Sequence, residues 1–178
     1  MFEYTFAFIQ DIGSWDVGNV NNMSFMFEGA VPFNQDISNW DVGNVNNMSF
    51  MFAATSAFGQ DLNSWDVSSV TNMNGMFDSS SFFNGDISMW NVISATNMVA
   101  MFNGATAFNK DISSWNVPKI VSEPTSFDLN SGLTLTPEKL PEWGVNKLIG
   151  TVIRAEGCEI SDILDDHDLT TKEFVESL

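Results

Sequence analysis

The pair Met-Phe recurs at Met1-Phe2, Met26-Phe27, Met51-Phe52, Met76-Phe77 and Met101-Phe102, a step of 25 residues without insertion. Trp15, Trp40, Trp65, Trp90 and Trp115 keep the same step, as do Phe8, Phe33, Phe58, Phe83 and Phe108. Ile12, Ile37, Leu62, Ile87 and Ile112 form an aliphatic column, and Val17, Val42, Val67, Val92 and Val117 form another. Met23, Met48, Met73 and Met98 recur until Glu123 breaks the series. A period in this range predicts coils stacked side by side, each touching only its neighbours. A lone coil buries too little apolar surface to offset the entropy of ordering its backbone, whereas an inner coil buries both faces. Burial is therefore cooperative along the stack.

Within a coil, Ile12, Trp15, Val17 and Val20 follow the spacing that leucine-rich repeats place around one short strand. The core Trp-Asp-Val alternates in, out, in, as a half-buried strand does. The spacing thus predicts a short-stranded parallel sheet. The return path, Met23 to Phe33, has apolar residues at irregular steps and reads as turns or short 3₁₀ pieces.

The unit running from Phe33 through Asp36, Ile37, Trp40 and Val42 to Val45, Met48, Met51 and Phe52 resembles the BspA-like bacterial surface-protein repeat. That family of unknown function is related to leucine-rich repeats and occurs in Mycoplasma lipoproteins, Gram-positive surface proteins and some marine microbial and viral proteins. The resemblance covers about residues 1–121. It implies a leucine-rich-repeat-like, right-handed solenoid, an extracellular or cell- or virion-surface setting, and adhesion or protein binding. It implies no chemistry.

The expected organisation is a solenoid of about five repeats over 1–121 and a small mixed α/β capping or docking segment over 122–178. Pro118 and Pro124 break the fifth unit's pattern. Leu133-Thr134-Leu135 reads as a short strand, and Thr136-Pro137-Glu138 as a helix start with Thr136 as cap. Residues 145–154 read as helix or strand, and 161–166 and 171–178 as short acidic helices. At the other end Met1 falls mid-unit with no polar segment before it. The first coil therefore reads as a surface for self-association or docking on a partner, or as the edge of a fragment.

Charge narrows the function classes. The chain of 178 residues has 23 acidic and 6 basic side chains, for a net charge of -17, and every Lys and Arg lies at or after Lys110. A phosphate-tracking cleft needs clustered cations, so nucleic acid is not an expected partner, nor is an anionic membrane surface. No apolar run reaches the ~18 residues of a membrane span, and no signal peptide opens the chain. His167 is the single histidine and Cys158 the single cysteine. Without a phosphate loop, nucleophile elbow or zinc-binding pair the chain is not expected to be an enzyme or to need a cofactor.

The candidate ligand face is the outward position of Trp-Asp-Val, namely Asp16, Asp41, Asp66, Asn91 and Asn116, with Asn39 and Ser64 two residues earlier in their coils. Stacked carboxylates repel one another. Such a column either recruits a basic protein, a glycan or a cation, or stands as a solvated edge that discourages aggregation. A second acidic column, Asp11, Asp36, Asp61, Asp86 and Asp111, supplies too few oxygens per coil for a dedicated calcium site. Calcium remains open for the acidic columns. The Asp11 column is better explained by carboxylates accepting backbone N–H groups at tight turns.

Overall fold

A computed structural model describes residues 2–147 of the chain. One compact unit runs over Met1–Val145, and the second, Asn146–Leu178, lies almost wholly outside the described residues. So do the expected helices over 161–166 and 171–178, most of 145–154, Cys158 and His167.

Successive copies of the repeat lie directly against one another. Taking each coil from its Phe (Phe2, Phe27, Phe52, Phe77, Phe102), Phe27 stacks on Phe33 at 4.1 Å within its coil and on Phe52 at 5.5 Å across to the next. Phe52 continues to Phe77 at 5.6 Å, and Phe77 to Phe102 at 5.7 Å. The second column runs in parallel, with Phe33, Phe58, Phe83 and Phe108 stacked at 5.9, 6.1 and 5.5 Å. All eight rings are fully buried, together with the Ile12, Val17 and Met23 columns. Offset stacking adds about 0.5–1.5 kcal/mol per pair beyond the apolar area removed from water.

The backbone follows the same translation. The N–H groups of Met23, Phe25, Phe27 and Gly29 donate to the carbonyls of Asn47, Ser49, Met51 and Ala53, at 2.8–3.0 Å. The intervening Met26, Glu28 and Ala30 donate three residues back, to Met23, Phe25 and Phe27. The return path is thus a chain of turns tied to the next coil at alternate residues. This alternation places left-handed residues at fixed positions: Phe25, Phe50, Gly75 and Ala100 in one column, and Tyr4, Gly29, Ala54, Ser79 and Gly104 in another. At Gly75 the Phe50 ring lies over the space that a Cβ would take, and the left-handed backbone suits glycine.

The expected strand at Trp-Asp-Val is not formed. Turns close on both sides of it, Trp15 N–H onto Ile12 and Val20 N–H onto Val17, leaving too few extended residues for a ladder. Parallel pairing falls on the asparagine column instead, as single bridges Asn22–Asn47, Asn47–Asn72 and Asn72–Asn97. No strand longer than such a bridge exists among the described residues.

The Trp column is held across coils. The indole N–H groups of Trp40, Trp65, Trp90 and Trp115 donate to the carbonyls of Ile12, Ile37, Leu62 and Ile87, at 2.8–3.2 Å. Each is a second donor to a carbonyl that also closes the turn onto the Trp N–H of its own coil, and the buried indole N–H thereby finds its partner.

Beyond Val121 the same core continues in a shifted register. Phe127, 25 residues after Phe102, is fully buried, but it meets Phe102 edge-on at 87°. Phe102 N–H donates to Phe127 O, a step of 25, where Phe77 N–H reaches Met101 O, a step of 24. The left-handed residues slip likewise, to Ser126 and Asn130. Leu133 is buried, and Val117 bridges Trp143. Leu133-Thr134-Leu135 is a turn rather than the expected strand, with Thr136 N–H closing on Leu133 O. The expected helix start is a single 3₁₀ turn, Pro137–Lys139. Thr136 does not cap it through its side chain, because its hydroxyl donates to Leu133 O at 3.1 Å.

Candidate functional site

The candidate face begins with the turn chemistry of each Trp-Asp-Val. The inward Trp and Val pack into the core, which leaves the Asp between them in solvent. Asp16, Asp41, Asp66 and Asn91 are exposed, and Asn116 is half-buried. Each of the first four accepts the backbone N–H two residues on: Gly18 at 3.1 Å, Gly43 at 3.2 Å, Ser68 at 3.0 Å and Ile93 at 3.4 Å. These Asx turns fix one oxygen of each aspartate carboxylate and the single amide oxygen of Asn91. The Ser68 hydroxyl and backbone N–H hold the Asp66 carboxyl below its ordinary pKa. Hydrogen bonding to the charged form is the cause.

The column is continuous through Asp66. A Cβ built on Gly18 would lie 3.5 Å from Asp16 Oδ1 and 3.3 Å from Asp41 Oδ2. The equivalent point on Gly43 is 3.4 Å from Asp41 Oδ1 and 3.9 Å from Asp66 Oδ2. The two glycines thus floor an uninterrupted row of carboxylates, with no side chain to screen one acid from the next. Beyond Asp66 the row continues through the amides Asn91 and Asn116, and the floor positions become Ser68 and Ile93.

Two residues earlier in each coil, Ser14, Asn39, Ser64, Met89 and Ser114 are exposed beside the row. Ser64 and Ser114 donate to Ser38 O and Ser88 O of the coils before them, at 2.7 and 3.2 Å. Their hydroxyls are tied to the scaffold. Asn44 Nδ2 likewise donates to Gly18 O at 2.8 Å.

The second acidic column is spent on structure. Asp11, Asp36, Asp86 and Asp111 accept the N–H of Gly13, Ser38, Ser88 and Ser113, at 2.9–3.0 Å. Asp61 instead takes the N–H of Asp86 in the next coil at 2.7 Å. Backbone and hydroxyl donors from Ser38, Ser88 and Ser113 lower the pKa of Asp36, Asp86 and Asp111. Among the described residues no group of three His, Cys, Asp or Glu side chains is placed to hold a metal ion. No helix among them is long and apolar enough to cross a membrane.

Sequence reasoning missed a cavity of about 320 Å³ between residues 96–99 and 119–125. Its signal was already visible as Glu123 interrupting the Met23 column.

Two overlapping stretches, residues 1–79 and 60–148, match a family described as "Mycoplasma protein of unknown function, DUF285". The matches span the repeat array and the shifted coil after it, and the chain belongs to this family. No curated protein and no solved structure is significantly similar to it.

Proposed function

We propose that the chain is a non-catalytic binding module, a leucine-rich-repeat-like solenoid of the BspA type that presents the Asp16 column to a protein or glycan at a cell or virion surface. The observation that carries this reading is the unscreened row Asp16–Asp41–Asp66, preorganised by Asx turns over Gly18 and Gly43. Fixed carboxylates lose little conformational entropy on binding, and together they complement a cationic partner or the hydroxyls of a sugar. No lysine or arginine precedes Lys110 to neutralise the row.

The test is the triple variant Asp16→Asn, Asp41→Asn, Asp66→Asn. Asparagine preserves the Asx turn, as Asn91 does with Ile93 N–H. The melting temperature should therefore stay within a few degrees of the parent. Retention on an immobilised oligolysine peptide and on a glycan array should drop to background. Unchanged retention on both supports would remove the acidic row as the binding face.

A second reading is favoured by the first coil, where Phe6 is 75% exposed and Tyr4 and Ile9 are each 56% exposed. Exposed aromatic and aliphatic side chains grouped on one coil suit a structural subunit that docks through that surface. Concentration-dependent mass in light scattering, abolished by Phe6→Ser with Ile9→Ser, would support this reading over the first.

A further inference from the structure

Three asparagines stand directly before a glycine, in Asn74-Gly75, Asn84-Gly85 and Asn103-Gly104. Such a pair is reactive in itself, because glycine has no Cβ to hinder attack by its nitrogen on the preceding side chain. Reaction then depends on what holds the glycine N–H and the asparagine amide, and the three pairs differ in this.

Two of them are locked into the contacts between coils. Gly75 N–H donates to Val99 O at 2.9 Å, and Asn74 Nδ2 donates to the same carbonyl at 2.8 Å. Gly104 N–H donates to Leu129 O at 2.8 Å, and Asn103 Nδ2 to Asp78 Oδ1 at 3.1 Å. Ring closure at either pair must break both hydrogen bonds. Asn84-Gly85 lies outside the ladder. Among the described residues the backbone N–H of Gly85 donates to no group, nor do those of Gln35, Gln60 and Lys110 at the same place in their coils. Asn84 is half-buried, and its Nδ2 is likewise unheld among the described residues. Its Oδ1 alone is engaged, accepting Asn109 N–H of the next coil at 3.2 Å.

Glycine is built in at this point, because Gln60 O lies 2.0 Å from where a Cβ on Gly85 would stand. That approach leaves Gly85 buried. A main-chain N–H without a protein acceptor is satisfied by water, which is also the path by which base reaches its proton.

We propose that Asn84 is a self-modification site, converting to aspartate and isoaspartate in the folded chain while Asn74 and Asn103 are protected. Base takes the Gly85 N–H proton, and the nitrogen attacks Asn84 Cγ. Negative charge develops on Oδ1, where Asn109 N–H already donates. The new N–Cγ bond closes a succinimide, the Cγ–Nδ2 bond breaks, and the departing nitrogen takes up a proton and leaves as ammonia. Water then adds to either ring carbonyl. Opening at Cγ gives an ordinary aspartate, and opening at the main-chain carbonyl gives isoaspartate. One amide and one water thus become one carboxyl group and one ammonia, with no redox change. The aspartate product keeps an oxygen for Asn109 N–H. The isoaspartate product lengthens the main chain beside Gln60 O, where space is lacking, and should lower the melting temperature. This site is independent of the Asp16 row.

The test is peptide mapping of the full chain aged at mildly alkaline pH, native and in denaturant, with isoaspartate read by enzymatic methylation. In the native chain Asn84 should convert at least about tenfold faster than Asn74 or Asn103, because freeing their held groups costs about 1 kcal/mol per hydrogen bond. In denaturant the three should convert at similar rates. Asn84→Gln, whose longer side chain does not close a succinimide, should remove the fast acidic product from the native chain. The proposal is overturned if the native chain converts all three at one rate, or if Asn84 is as slow as the held pairs. It is equally overturned if the fast product maps to another residue or survives Asn84→Gln. The comparison of native with denatured chain needs no variant, so it decides the proposal even if Asn84→Gln fails to fold.

Discussion

The coils from Phe27 to Phe108 and the segment 122–145 share one core but not one geometry. In the former, each Phe lies on the next at interplanar angles of 3–11°, and the N–H groups of alternate residues reach the following coil at a step of 24. In the latter, Phe127 keeps its place in the sequence period, yet the ring turns to 87° and the backbone step becomes 25. The difference traces to single positions. Glu123 replaces a core methionine and Pro124 removes a donor, so the next coil must begin outside the ladder and rejoin it one residue late. Apolar columns hold the coils together, and the ladder keeps its step of 24 only where every column is filled.

The sharpest way to break this contrast is Phe77→Ala. It removes a fully buried ring that contacts Phe52, Phe83 and Phe102, at a cost of about 3–5 kcal/mol in denaturant unfolding. Leu135→Ala, in the later segment at 90% exposure, should stay within about 0.5 kcal/mol. Equal losses would mean that the Phe stack contributes no more than the surface.

A smaller effect separates an inner coil from the first. Trp65→Phe removes one of the two donors to Ile37 O, which keeps Trp40 N–H at 3.1 Å, and should cost about 0.5–1.5 kcal/mol. Trp15 is 39% exposed, and its indole makes no hydrogen bond among the described residues. Trp15→Phe should therefore be close to neutral. If both substitutions proved equally mild, the cross-coil indole bonds would not be holding the stack.

The smallest effect is in acid, and it has opposite signs in the two regions. Asp36, Asp66, Asp86 and Asp111 have folded-state pKa values below their ordinary 3.8. Their contribution is present above that value and is lost as pH falls through the folded pKa. Glu123 is raised above its ordinary 4.5, so its contribution is present below 4.5 and is lost as pH rises through the folded value. On acidification the unfolding midpoint should first gain slightly from Glu123 and then fall as the aspartates protonate. Glu123→Gln should erase the gain alone, and Asp66→Asn should reduce the later fall. A gain that survives Glu123→Gln would assign it to another group.

Much of the molecule could be read from residue order. The buried Phe and Ile columns, the indoles in the core and the turn role of the Asp11 column follow from periodicity and from the known preferences of Asp at tight turns. The position of inter-coil pairing did not follow. Trp-Asp-Val has the alternation of a strand, but Ile12–Trp15 and Val17–Val20 close turns around it, and pairing moved to Asn22. Alternation within three residues says which side chains point inward, not which backbone groups meet a neighbour. The sixth Phe, Phe127, was overlooked because the columns around it had already decayed.

The candidate row shows the same division. Asp16, Asp41 and Asp66 are outward because Trp and Val on either side are apolar, which sequence alone establishes. That one oxygen of each is fixed, and that Gly18 and Gly43 leave the row unscreened, depends on where the next coil lies.

Residue order by itself determined the 25-residue step, the faces that are buried and the charge of the surface, because each depends on local chemistry repeated in phase. Only the tertiary structure decided which amide meets which carbonyl, how Phe127 turns, and where the ladder changes its step. Those outcomes depend on the register between coils two dozen residues apart, and one unburied carboxylate is enough to change it.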